Sequence, residues 1–372
     1  ESHGKLLFHV CIHFFRMSIT ESLLATIFYG CGTIAFSYST TFYCHQPAAL
    51  CSFFAFLLLR HLRKDSEQKS YYALLAGFFA GMAVLIEPSA IITLIALFID
   101  LVCSKETRKW LTLFILGCIP PGVVQGIYNV ACFSHPLASS YNYANDVVMW
   151  KREGRLFGIP SPASFFRLLF SPHRGLFISS PIFLMALPGM FYFLKDRKWR
   201  DEAIFCTAVS ISFIVLISSL YAWHGGSAIG PRYLLPAFPF AFMLVIFSLK
   251  KYPRLVTCFG ILSLIINLSV TLVGNEIPRP ETNPLINVTL KQVLNGRVSI
   301  NPFPLSSLGK YESEYPSIND FAQVEKWKPN FNSFNLGETL FPDSLLSLLP
   351  LMCFWTLWFA LWRRLPVAPP GS

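Results

Sequence analysis

Ten apolar runs, each close to the thickness of a bilayer, leave this chain little choice of fold. They cover residues 22–38, 45–59, 71–86, 89–103, 110–130, 176–194, 203–221, 233–249, 255–274 and 344–362. A spanning helix needs roughly 20 such residues, with about 17–25 as the usual range, and a shorter one thins the bilayer or sinks into the bundle. Residues 5–15, KLLFHVCIHFF, are too short to span and read as the tail of a further helix whose start is absent. In water these runs would go uncovered: 53% of the 372 residues are hydrophobic and 13% charged, against about 25% charged in soluble domains. The expectation is an all-α polytopic membrane protein of about ten transmembrane helices, with a kink at Pro120-Pro121.

The connectors add an orientation. Residues 60–69, 105–109, 195–200 and 250–254, with Arg363-Arg364 in the tail, hold 16 of the 30 Lys and Arg. The positive-inside rule puts all of them on the cytoplasmic side without conflict. The net charge of +10 is then a matter of topology. Nucleic-acid binding is not expected, because the basic clusters are short and interrupted by spans. Three outer segments remain: 131–175, 222–232 and 275–343. The chain divides into a transmembrane core (1–274, with outer loops 131–175 and 222–232), an extracytoplasmic cap segment (275–343), and a last helix with its cytoplasmic tail (344–372).

Ten cysteines suggest a disulfide framework until they are placed. Eight lie in or beside apolar runs, where Cys behaves as a small hydrophobe; Cys44 and Cys132 lie near the outer ends of their runs. No CxxC pair occurs, so no metal and no cofactor is expected.

The outer segments carry the candidate chemistry. In 131–175, five cations (Lys151, Arg152, Arg155, Arg167, Arg174) face Asp146 and Glu153, an excess that runs against the insertion rule. Ser161-Pro162 opens a short, mainly apolar helix suited to lying in the interface, and Ser171-Pro172-His173-Arg174-Gly175 delivers His173 and Arg174 to the next span. These cations either cradle a lipid phosphate, whose oxygens match the guanidinium fork, or touch lipid headgroups. Segment 222–236, AWHGGSAIGPRYLLP, is too polar, Gly-rich and proline-bounded for membrane helix. It puts Trp223, His224, Arg232 and Tyr233 into one turn, which reads as part of an active site or as a loop whose Arg snorkels to headgroups. Segment 275–343, with eight Pro and nine Asn, reads as irregular, with its best helix over 284–296. Glu87, beside Pro88 at the outer turn of a hairpin, and His45, at the outer start of a run, are ionisable groups at membrane depth. Each is also compatible with a satisfied residue at the interface.

Several stretches together resemble one family. YGCGTIAFSYSTTFYCH (29–45), GFFAGMAVLIEPSA (77–90), SSYNYAND (139–146), LFSPHRGLFISSPIFLMALPGM (169–190) and GPRYLLPAFPF (230–240) are similar to bacterial relatives of the dolichyl-phosphate-mannose protein mannosyltransferases, integral membrane glycosyltransferases of the C-type fold. SPHRGLF and GPRYLLP are the most specific pieces. The resemblance implies an enzyme of the bacterial inner membrane that takes a sugar from a polyprenyl-phosphate carrier and passes it to a lipid, glycan or protein acceptor on the outer face. It implies phosphate binding by Arg232 and Arg174, with His224, His173, Tyr233 and His45 as donors and Trp223 stacking on a sugar. It also implies an acidic catalytic base in a first outer loop, which would precede Glu1; Glu87 and Asp146 are the acidic candidates within the chain. The competing expectations are a transporter or flippase, an O-antigen-ligase-like polymerase, and a catalytically inactive relative. The first usually shows internal repeats, and no convincing repeat is present.

Overall fold

Breaks in helices, more than helices themselves, set the architecture seen in a computed structural model that describes residues 2–41, 43–64, 70–138, 155–226, 228–274, 281–294, 340–341 and 345–362. The chain separates into two units, Glu1–Leu268 and Ser269–Ser372. In the first, α1 (Ser2–His9) runs into a π turn. Ser18 then starts α2 (Ile19–Gly30) with a full capping box, its hydroxyl accepting from Glu21 N–H and its N–H donating to the Glu21 carboxylate. There follow α3 (Ala35–Ser39), α4 (His45–Lys64), α5 (Tyr71–Ile86), α6 (Ile91–Cys103) and α7 (Leu111–Phe133). The second half of this unit holds α8 (Pro162–Phe170), α9 (Leu176–Ser179), α10 (Ala186–Lys195), α11 (Arg200–Ser219), α12 (Phe238–Lys251) and α13 (Pro253–Val273), the last running on into the second unit. The second unit adds a π turn at Leu285–Leu290, α14 (Lys291–Leu294) and α15 (Leu349–Trp362). Among the described residues the one β feature is an isolated bridge, Phe157 to Leu220.

Among the described residues, four helical segments are long and apolar enough to cross a membrane: Arg108–Phe133, Arg200–Ser219, Arg232–Lys251 and Pro253–Val273. The expected run at 22–38 is divided between α2 and α3, and the run at 176–194 is divided into α9, a 3-10 turn at Pro181–Met185, and α10. Pro181 explains the second break. It lacks an N–H, and its ring pushes Ser180 out of the helical region, to φ −143° and ψ 74°. In contrast, α7 runs unbroken through Pro120-Pro121.

Broken backbone at membrane depth is tolerated only where protein satisfies the freed groups, and one asparagine does much of that here. Buried Asn267 on α13 donates its amide to Gly32 O at 3.2 Å, Ser179 O at 3.0 Å and Ser263 O at 2.8 Å. Ser180 Oγ accepts from Ile34 N–H, and Ser263 Oγ from Ile182 N–H. The two breaks are therefore held side by side.

Packing follows the membrane logic in which close backbone approach replaces the hydrophobic drive. Ala73, Ala76, Gly77, Ala80 and Gly81 make a small-residue face on α5 that meets α7. A Cβ on Gly77 would run into the Phe114 carbonyl, and one on Gly117 into the Leu74 carbonyl. The far side of α7 exposes Ile115, Ile119, Val123, Val124 and Ile127. At the centre, 83% of the apolar window of Arg232–Lys251 is buried. Its phenylalanines interlock with Phe53 and Phe56 of α4, Phe205 of α11 and Phe193 of α10, mostly in the edge-on or offset geometries aromatic rings prefer.

Candidate active site

One end of α4 carries His45; the other carries Arg60, about 22 Å away at 1.5 Å per residue. At the far end, buried Arg60 pairs with Asp100 and Glu202 and lies against the rings of Phe56 and Phe205. Arg63 joins it by bonding Asp100 at 2.8 Å and Asp201 at 3.3 Å. Two cations share three carboxylates, and the network ties α4 to α6 and α11. Nearly every residue singled out as chemically promising in the sequence lies at the other end.

The loop after α11 is shaped by glycine. Gly225, Gly226 and Gly230 all have positive φ (73°, 76° and 65°), a region open to glycine and costly for residues with a Cβ. The resulting turn lets Gly226 N–H donate to His224 Nδ1 at 3.0 Å, so a neutral ring carries its proton on Nε2. Gly225 lies against the Arg232 side chain, and a Cβ there would come within 3.2 Å of Arg232 Cγ. Tyr38 OH holds the loop from below by donating to Ile229 O at 2.9 Å.

The 171–175 turn is clipped to this loop. Ser171 Oγ accepts from Arg174 N–H, and the buried Arg174 guanidinium donates to His173 O at 2.9 Å and to Gly226 O at 3.1 Å. The His173 ring lies 6.3 Å from that of His224 and 6.5 Å from that of Trp223. From the other direction, the segment before α8 reaches in. Gly158 N–H bonds Ser219 O and Tyr221 N–H bonds Leu156 O, and Ser161 caps α8 by accepting from Ser164 N–H.

Arg232 sits between two aromatic faces. Its guanidinium carbon is 5.0 Å from the Tyr43 ring centre and 5.3 Å from that of Tyr233, distances at which a cation is attracted to the ring. Its Nε is buried with no hydrogen-bond partner among the described residues, an arrangement that costs free energy unless something accepts from it. Tyr43 also stacks on His45 at 6.3 Å, and the His45 ring meets Tyr233 edge-on at 5.6 Å. His45 Nδ1 lies 3.1 Å from Glu87 Oε2, to which Cys44 Sγ–H donates at 3.0 Å. Ser89 N–H donates to the other carboxylate oxygen.

The structure thus gathers Trp223, His224, Arg232, Tyr233, His173, Arg174, His45 and Glu87; Asp146 lies outside the described residues. Burial pushes the Glu87 carboxyl up, but its bonds to His45, Cys44 and Ser89 outweigh this and hold it at about 2. Glu87 is therefore a weak base at neutral pH. Burial and the Glu87 carboxylate push the Cys44 thiol up to about 12, so it stays protonated. Tyr38, Tyr43 and Cys44 were not singled out as site residues from the sequence. The signal available was the run of polar and aromatic residues in STTFYCH (39–45).

Residues 9–119 match the family described as dolichyl-phosphate-mannose-protein mannosyltransferase, a stretch that includes Tyr43, Cys44, His45 and Glu87 and stops before Arg174 and Arg232. Comparison with curated proteins and with solved structures gives no match. Four helices of membrane-crossing length and composition among the described residues mark an integral membrane protein, and its residues 9–119, under a third of the chain, are similar to the dolichyl-phosphate-mannose-protein mannosyltransferases, a family of membrane glycosyltransferases.

Proposed function

We propose that this chain moves a sugar from a polyprenyl-phosphate carrier to a cell-envelope acceptor, with Arg232 receiving the carrier phosphate. The observation that carries this is the buried Arg232 Nε without a partner among the described residues, on a guanidinium framed by Tyr43 and Tyr233. As the bond from the anomeric carbon to the phosphate oxygen breaks, its electron pair stays with the phosphate. A fixed cation stabilises that developing charge more than it stabilises the bound donor. The His224 ring and the Tyr233 hydroxyl are donors for phosphate or sugar oxygens, and Trp223 offers a face for the sugar ring. Arg174 acts mainly by holding the 171–175 turn to the loop, since its terminal nitrogens bond backbone carbonyls. The acceptor is a lipid, glycan or protein hydroxyl that gives up its proton as the new glycosidic bond forms. The positions of the basic connectors support a site on the outer face, and the similarity to bacterial enzymes supports the inner membrane.

The test is release of polyprenyl phosphate from a polyprenyl-phosphate sugar by the full chain in liposomes. Release is expected from the wild type and is expected to fall about 10²–10³-fold in Arg232→Ala, the usual cost of losing one transition-state donor, with membrane insertion unchanged. Equal rates refute the role of Arg232. Sugar transport without phosphate release would show a transporter instead.

A further inference from the structure

Cys44, His45 and Glu87 come from two segments 43 positions apart, and they converge three potential ligand atoms on one point. Cys44 Sγ lies 3.0 Å from Glu87 Oε2 and 3.9 Å from His45 Nδ1, and His45 Nδ1 lies 3.1 Å from Glu87 Oε2. All of these atoms lie within 4.8 Å of one another. A tetrahedral zinc ion, with bonds of about 2.3 Å to sulfur and about 2.0–2.1 Å to nitrogen or oxygen, sets its ligands about 3.3–3.6 Å apart. The observed separations straddle that range, so small side-chain adjustments convert the trio into three faces of one coordination sphere.

We propose that Cys44, His45 and Glu87 form a zinc site with a fourth position open to water or an anionic oxygen. Four features of the trio support this. The donor set of thiolate, imidazole and carboxylate suits zinc and disfavours magnesium and calcium, which take oxygen ligands. Zinc binding replaces the thiol proton now shared with Glu87, and thiolate plus carboxylate balance the divalent charge, so the ion sits without net charge among buried groups. Ser89 N–H on the second Glu87 oxygen and the Tyr43 and Tyr233 rings around His45 supply the outer contacts that orient metal ligands. Cys44 is exposed while His45 and Glu87 are buried, which gives an ion a way in. A hydrogen-bonded trio with no metal function is the competing account. The site stands whether or not Arg232 receives a phosphate.

The experiment uses the purified full chain in detergent, stripped with chelator and reloaded with Zn²⁺ or Co²⁺. The wild type is expected to retain about one ion per chain, to show a thiolate-to-cobalt charge-transfer band, and to gain thermal stability from zinc, as any ligand of the folded state confers. Cys44→Ser should lose the band and the zinc-dependent gain, and Glu87→Gln should bind at least about tenfold more weakly. Cys258→Ser, at an exposed cysteine on α13, should behave as wild type. Unfolding midpoints without metal show whether each variant is folded. A wild type that retains no stoichiometric metal overturns the proposal. So does a band that survives in a folded Cys44→Ser protein.

Discussion

Glu87 shows how one residue's surroundings decide its work. The carboxyl lies at the end of α5, half of its oxygen pairs committed to His45 and Cys44. These contacts lower it from an ordinary 4.5 to about 2. The unfolded chain takes up the proton first on acidification, so the contacts contribute fully above about pH 4.5 and their contribution is lost as pH falls toward 2. The stability difference between wild type and Glu87→Gln should therefore shrink as pH is lowered through that window, measured as unfolding midpoints in detergent. A difference that stays constant would mean the carboxylate gains nothing from His45. Asn267 is the second residue on which much depends. Asn267→Leu removes a donor from three carbonyls and leaves buried acceptors short, which should cost about 1–3 kcal/mol in a thermal or denaturant unfolding assay. Wild-type stability in that variant would mean water satisfies the breaks.

At the scale of elements, α5 and α7 are held by the absence of side chains. Gly77→Leu and Gly117→Leu each place carbon atoms where a facing carbonyl lies, and overpacking of this kind costs about 1–3 kcal/mol or more. Both variants should lower the unfolding midpoint in detergent, while Val123→Leu on the exposed face of α7 should not; equal midpoints in all three would contradict the packing. The sequence announces α7, α11, α12 and α13 through uninterrupted apolar length, a local property. It announces the start of α8 through Ser161-Pro162 and an isolated turn through the glycines of 225–230. The break between α2 and α3 has no such signal, because the groups that tolerate it, Asn267, Ser180 and Ser263, lie far along the chain. The site is legible to the same degree. Arg232, Arg174, His45 and Glu87 stand out as polar residues at the ends of apolar runs. Cys44 reads as a cysteine near the outer end of its run, and nothing near it points to a carboxylate 43 positions away.

At the scale of the molecule, α4 separates two kinds of charge. One end carries the Arg60 and Arg63 network with Asp100, Asp201 and Glu202, in which every charge has a partner. The other carries Arg232 between tyrosines, beside the Cys44, His45 and Glu87 trio. The cations at the first end are matched by carboxylates, whereas Arg232 is framed by tyrosine rings with no carboxylate at ion-pair distance among the described residues, which leaves its charge for an anion that arrives. That contrast is the basis for reading the second end as the place where a carrier phosphate docks. Native mass spectrometry of the purified chain with a short polyprenyl phosphate tests it most directly. The account predicts one bound lipid per wild-type chain and binding about tenfold to a hundredfold weaker in Arg232→Ala, the usual worth of a charge-assisted hydrogen bond. Equal occupancy in the two proteins would contradict it.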